Sequence, residues 1–292
     1  MSSPILGSIE QAETRLPPEI EYEIFALAFH RNQEDKIQLL RVAKRVLTWL
    51  LPFVYESVIM NDYRYPPKAA LERYGHHIKN LLVVSFMQPK IPANTILACC
   101  PNVRNLAFWN EVRLTERVFD LTQLTHLFTR SLTFFKPYHS SLPEFQSDPP
   151  PHRVPRAKTQ IFFSTITHLA LYDRFNLSTD PGTPAFTFGQ ILRAFTSLTH
   201  LLVYNYTSYH ELQLALGLCP SIKVLICLDC TCTDPNETFV LPPYESPKGD
   251  DWKVVMMDGY FTRDWKRGIL GEKDMWKLAD EVIARRISEM QD

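Results

Sequence analysis

Apolar positions along the chain follow two different rhythms. Between residues 14 and 60 they recur at helical spacing. Leu16 precedes Pro17 and Pro18, and proline is best tolerated in the first turn of a helix. Ile20, Ile24, Leu27 and Ala28 follow as one apolar stripe, and Arg31 to Asp35 is a polar break. A second helix is predicted from Ile37 to Leu51, ahead of Pro52. It carries two stripes: Ile37, Leu40, Ala43, Leu47 and Leu50 form one, and Leu39, Val42, Val46 and Trp49 the other. Only a narrow strip with Arg41, Lys44, Arg45 and Thr48 stays polar. So wide an apolar face needs cover on more than one side. A segment of about 45 residues cannot provide that cover alone. Either the rest of the chain covers it or another protein does.

From residue 61 onward the rhythm changes to short apolar runs that repeat. Six segments align: IKNLLV, VRNLAF, LTHLFT, ITHLAL, LTHLLV and IKVLIC. Each places a leucine fourth, at Leu81, Leu106, Leu127, Leu169, Leu201 and Leu225, so the intervals are 25, 21, 42, 32 and 24 residues. The interval of 42 is twice 21, which leaves room for one hidden or replaced repeat. SLTFF at 131–135 is an alternative strand there, and its register stays open. Apolar, helix-compatible stretches such as NTILACCP, FGQILRAF and HELQLALGLCP precede several segments. The pattern predicts an α/β body in which a helix, a tight corner and a short strand repeat and stack on a shared core. A doubly wound enzyme fold would also alternate helix and strand. The recurring T-H-L and C-P words, and the lack of a glycine-rich loop after any strand, disfavour it.

Two proline-dense polar stretches, within 140–160 and 235–251, read as exposed loops. WKVVMMDGY then reads as a last strand. The tail GEKDMWKLADEVIARRISEM reads as a helix with Trp276, Ala279, Ile283 and Ile287 on one face. A stacked repeat exposes an apolar end unless something caps it, and residues 259–292 are assigned to that cap.

The helical head resembles a known module. LPPEIEYEIFALA, IQLLRVAKRVLTWL and PFVYESV, taken in order, resemble an F-box. Leu16, Pro17, Glu19, Ile20, Ile24, Phe25 and Leu27 match that family's opening. Val42, Lys44 and Arg45 match its middle, and Pro52 and Tyr55 its close. Two positions depart: Ala43 stands where Ser or Cys is usual, and Val46 where an aromatic is common. The resemblance spans residues 14–60. The period and the L-x-x-L-x-L flavour of residues 61–258 resemble degenerate leucine-rich repeats, and the last segment is similar to the closing element of basidiomycete-type F-box proteins. The resulting expectation has four parts. Residues 1–13 are a flexible tail, 14–60 a small F-box, 61–258 an irregular leucine-rich-repeat-like α/β solenoid, and 259–292 a capping helix. The implied function is a non-enzymatic adaptor of a cullin-based ubiquitin ligase. Leu16, Pro17, Ile20, Ile24, Phe25, Leu39, Val42, Val46 and Trp49 would dock a Skp-family adaptor, and the repeats would hold a protein target. The rival is a repeat scaffold whose head packs on its own body and recruits no ligase.

Composition narrows the alternatives. The 292 residues carry 31 basic and 32 acidic side chains, a balance that argues against binding nucleic acid or an anionic membrane by bulk charge. No apolar run is long enough to span a bilayer. The first fifteen residues have neither the basic nor the apolar region of a secretory signal, so the cytoplasm or nucleus is expected. Cysteines 99, 100, 219, 227, 230 and 232 lie in apolar stretches and read as reduced thiols. Cys227, Cys230 and Cys232 contain a C-x-x-C, but no second pair with zinc spacing accompanies it. His126, His168 and His200 each precede a repeat leucine. Stacking would bring them together as a conceivable three-histidine site, yet recurrence of the repeat explains them equally. No nucleophile elbow, Walker loop or G-x-G-x-x-G occurs, and no cofactor or metal is expected. If the leucines face inward, the opposite strand surface presents Trp109, Phe128, Arg130, Tyr172, Tyr204 and Tyr206. Aromatics and arginine are enriched at binding hot spots, so these are the candidate target-binding residues.

Overall fold

A computed structural model describes residues 16–31, 36–61, 63–84, 91–109, 116–129, 155–172, 191–204, 209–229, 239–240 and 252–291. The chain divides into a head, Met1–Val54, and a body, Tyr55–Asp292. The expected boundary near residue 60 therefore moves back, because residues 57–61 already form a strand of the body.

In the head, helix α1 runs Pro18–Arg31. The Pro17 carbonyl accepts the Ile20 and Glu21 N–H groups, both at 3.0 Å, so Pro18 sits in the first turn as its fixed φ favours. The second predicted helix is broken. A single turn, α2 (Lys36–Leu39), is followed by α3 (Lys44–Tyr55). Between them Arg41 N–H donates to Gln38 O and Val42 N–H to Leu39 O, the i→i−3 bonds of a turn. The reason is packing. Leu39, Leu40 and Ala43 all reach the core formed by Phe29, Val46 and Leu50, together with Phe25, Trp49 and Phe53. One straight helix with stripes on two sides could not direct them all there. α3 also continues through Pro52 to Tyr55, where a stop was expected.

The body is α/β. Its sheet has nine strands in the order β1-β2-β3-β4-β5-β6-β7-β9-β8. These are β1 Ser57–Asn61, β2 Asn80–Val84, β3 Asn105–Trp109, β4 His126–Thr129, β5 His168–Leu171, β6 His200–Tyr204, β7 Val224–Asp229, β8 Phe239–Val240 and β9 Val254–Asp258. All neighbours are parallel except β8 on β9. Leu81, Leu106, Leu127, Leu169, Leu201 and Leu225 are successive register partners. β4 pairs directly with β5, so the 42-residue interval inserts no strand between them. SLTFF lies outside the described residues.

One corner recurs at the entries of β2 to β7. The carbonyls of Glu56, Lys79, Arg104, Thr125, Thr167 and Thr199 each accept two N–H groups from the next unit, at 2.8–3.2 Å. This satisfies the backbone polar groups where the chain turns into the sheet. Sequence differs at these positions but the bond repeats, because it is made by backbone alone.

Side chains alternate between faces along each strand. On one face the leucines pack with α4 (Lys68–Tyr74), α5 (Ala93–Cys99), α6 (Arg156–Thr165), a turn at 191–194 and α7 (Tyr209–Leu218). Phe119, Phe162, Phe163 and Phe195 form a chain of edge-to-face rings there. Gly75 permits close approach, since a Cβ would meet the Cys99 carbonyl oxygen. The opposite face is also covered. Leu82, Ala107, Phe128, Ala170, Leu202, Ile226, Val255 and Met257 pack under two C-terminal helices, α8 (Phe261–Ile269) and α9 (Met275–Gln291). Arg286 Nη1 ties α9 to the sheet by donating to the Trp252 and Val254 carbonyls at 2.9 and 2.6 Å. The helix assigned to an end cap thus lies on a sheet face.

Candidate functional site

The head's surface is built by α1. Its aromatic side makes the core: Phe29 is buried, Phe25 packs beside it, and Tyr22 meets Trp49 edge-on with centroids 6.1 Å apart. Arg45 and Glu21 join α3 to α1 through a 2.9 Å ion pair. This packing turns the aliphatic stripe outward. Leu16, Ile20, Ile24 and Leu27 are 52%, 44%, 50% and 54% exposed. Among the other matched residues Pro17 and Val42 are exposed, Phe25, Leu39 and Trp49 are half-buried, and Val46 belongs to the core. The nine candidates therefore divide. Five face solvent, and Phe25, Leu39, Val46 and Trp49 hold the head together.

The six target-binding candidates do not form one open surface. Phe128 is buried and stacked on Phe261 of α8, with centroids 3.7 Å apart at 15°. Tyr204 is buried in the same layer, while Tyr172 remains partly exposed and meets Tyr204 edge-on at 4.4 Å. The premise that this face is open to solvent fails at Phe128 and Tyr204, because α8 and α9 supply a second apolar layer. Trp109 pairs in β3 with Val84, and its side chain lies outside the described residues, as do Arg130 and Tyr206.

The first residues of six strands form a polar ladder on the sheet face that α8 and α9 cover. Ser57, Asn80, Asn105, His126, His168 and His200 are successive register partners. Asn80 Nδ2 donates to Ser57 Oγ at 2.8 Å, and Asn105 Nδ2 to Asn80 Oδ1 at 2.6 Å. The three imidazoles stack with centroids 4.0 Å apart, 15° and 8° from parallel. Each Nδ1 is tethered to its own preceding threonine: Thr125 at 2.9 Å, Thr167 at 2.9 Å and Thr199 at 2.8 Å. Trp276 of α9 lies edge-on to His168 and His200. His200 Nε2 reaches Asp280 Oδ1 at 3.0 Å. Burial, then the neighbouring His200 ring, pushes His126 down to about 4. Burial, His126 and His200 together push His168 down to about 2. Both rings are neutral at neutral pH.

Sequence reasoning named the histidines but missed Asn80, Asn105 and the facing Asp264, Trp265 and Asp274. Half the signal was present: the column before the repeat leucine reads Asn, Asn, His, His, His, Val across the six segments. The facing residues carry no comparable repeat. Stacked rings present parallel rather than converging nitrogens, and no group of three or more metal-ligating side chains occurs among the described residues. Cys100 and Cys219 are buried thiols raised to about 12 by loss of solvent, and Cys219 donates to the Leu192 carbonyl. They behave as small core hydrophobes. Cys230 and Cys232 lie outside the described residues.

No protein-family model matches the chain, and no curated protein is significantly similar to it. No described helix is long and apolar enough to cross a membrane.

Proposed function

We propose that the chain is a non-enzymatic recruitment adaptor acting in the cytoplasm or nucleus. The head docks a Skp-family adaptor, and through it a cullin, while the repeat body holds a protein target. It works by proximity, raising the target's local concentration near a ubiquitin-carrying enzyme. The observation that carries this reading is the exposed stripe of Leu16, Ile20, Ile24 and Leu27. A solvent-facing aliphatic row on a helix that already has a separate core face marks an interaction surface. Its exposure favours the adaptor over a scaffold that buries its own head. The in-register leucines support the further reading of the body as degenerate leucine-rich repeats.

Magnitudes fit a docking surface larger than the stripe. Full burial of an aliphatic side chain contributes about 1.5–3 kcal/mol, and about half of each remains to be buried, so four give roughly 3–6 kcal/mol. Micromolar binding needs about 8 kcal/mol net of ordering costs. Ile37, Val42 and Leu47, also exposed on the head, would have to contribute. The test is co-elution of the full chain with a purified Skp-family adaptor. Complex formation is expected, and Ile20→Asp or Ile24→Asp should abolish it without lowering the melting temperature. A folded wild-type chain that elutes apart from the adaptor overturns the proposal.

A further inference from the structure

A cavity of about 90 Å³ opens inside the body between the strand entries of β3–β5 and helices α8 and α9. Its polar lining comes from Asn105, His126 and His168 on the sheet and from Asp264, Asp274, Trp265 and Trp276 opposite. Stacking and tethering fix where the imidazoles point. The His200 ring is parallel to its neighbour and held by the same Nδ1 contact, and its Nε2 is aimed off the sheet at Asp280 of α9. Nε2 of His126 and of His168 points the same way, toward the cavity. Neither nitrogen has a hydrogen-bond partner among the described residues, and neither is sealed from solvent.

These nitrogens do not select one kind of partner. A neutral imidazole carries one N–H, and the threonine hydroxyls leave its place open, because each can donate either to a backbone carbonyl or to Nδ1. His200 shows that the Nε2–H form is available, since the Asp280 carboxylate only accepts. Nε2 of His126 and His168 is thus a donor in one tautomer and an acceptor in the other. The rest of the lining is mixed as well. Asn105 has one amide N–H on Asn80 and keeps a second N–H and its carbonyl oxygen. Asp274 accepts the Lys277 N–H at Oδ1 and keeps Oδ2 as an acceptor. Trp265 and Trp276 can only donate, through their indole N–H groups. Asp264 is already engaged, its Oδ2 accepting the Met275 N–H. A ligand that only donates, or only accepts, meets the wrong group on part of this surface. A molecule that does both, and turns freely, suits all of it.

We infer that this cavity is a water-binding site, in which a cluster of ordered waters links the ladder at Asn105, His126 and His168 to the start of α9. With about 30 Å³ per molecule the volume holds about three waters, each able to make about three hydrogen bonds. The cluster gives the polar groups at this end of the ladder their partners under the two helices, where an unbonded polar group would be costly. It also completes a pattern. His200 reaches α9 directly, through Asp280, and His126 and His168 reach it through water. The site lies wholly in the body and does not depend on the head's docking role.

The test is nuclear Overhauser transfer from water to methyl groups in the full chain. Ala170 and Met275 line the cavity, whereas Ala107 is buried in the same apolar layer without lining it. Transfer from long-lived water is expected at the Ala170 and Met275 methyls and not at Ala107. Xenon under pressure should leave the Ala170 and Met275 shifts unchanged, because xenon enters dry apolar cavities. His168→Phe keeps a flat ring in the stack but removes Nε2, so the water signal at Met275 should fall at least about twofold. No water transfer at the two lining methyls, equal transfer at Ala107, or xenon-induced shifts at Ala170 or Met275 each overturns the inference without any substitution. An undiminished water signal in a folded His168→Phe chain overturns it as well, since the ladder would then not be what holds the water.

Discussion

Head and body handle apolar surface in opposite ways. Among the described residues the head fully buries three apolar side chains, Phe29, Val46 and Leu50, and leaves nine large ones exposed. The much longer body leaves seven exposed and closes a separate apolar layer on each face of its sheet. A short segment has too little chain to cover itself, so exposure in the head follows partly from size. Size does not explain which residues are exposed. α1 turns Phe25 and Phe29 inward and an aliphatic row outward, although aliphatic side chains would serve a core equally well. In the body even the strand face expected to be open is sealed, by α8 and α9. The asymmetry is what supports the proposal of protein docking at the head rather than at the covered sheet faces of the body.

The largest effect should come from the body's filled layers. Phe108 is 1% exposed in β3 and packs among the repeat leucines. Phe108→Ala should cost about 3–5 kcal/mol, read as a lower denaturant midpoint at unchanged slope. A cost below about 1 kcal/mol would show that the leucine layer is loose, and the contrast with the head would lose its basis.

Acid probes the other layer. In the unfolded chain His126 and His168 titrate near 6.5; in the folded body burial holds them at about 4 and about 2. The unfolded state therefore binds more protons between pH 6.5 and 4, and stability falls as pH falls through that window. One proton per group sets a limit of about 1.4 kcal/mol per pH unit for each ring, and residual solvent contact lowers this, so roughly 1–2 kcal/mol per pH unit is expected for the pair. Asp120, held low by its hydrogen bond to Lys158, stabilises above its unfolded value of 3.8 and loses that contribution only at lower pH, outside the window. Replacing both histidines with glutamine should flatten the slope. A stability that does not change from pH 6.5 to 4.5 would mean that the ladder is open to solvent.

How much of this was legible in the sequence depended on whether a feature repeats. The six leucines were aligned from the chain alone and prove to be register partners, because stacking makes each unit meet the same environment. The histidine column came with them for the same reason. The covered second face was not legible. The residues after each leucine, Leu82, Ala107, Phe128, Ala170, Leu202 and Ile226, are all apolar, which is the mark of a strand buried on both sides. That signal was outweighed by the expectation of an open repeat surface. Asp264 and Asp274 were invisible for a different reason: Asp264 lies in α8 and Asp274 just before α9, neither of which repeats, and both come near the ladder only through tertiary packing. In the head, the stripe on α1 was readable, but the turn at 40–43 was not. Leu39, Leu40 and Ala43 satisfy a helical pattern locally while the core they share rewards a bend.

The smallest effect is the most informative about the head. Ile24 is half exposed, and serine and isoleucine have similar helix propensities, so Ile24→Ser should shift stability by no more than about 0.5 kcal/mol. The same change removes aliphatic surface from the middle of the stripe, between Ile20 and Leu27, where a docked partner would bury it. Thermal melting and adaptor binding should therefore respond independently, with melting unmoved and binding weakened. A destabilisation of about 2 kcal/mol or more in the isolated full chain would show that Ile24 is already buried in solution. The head would then resemble the body in sealing its own apolar surface, and the scaffold reading would replace the adaptor.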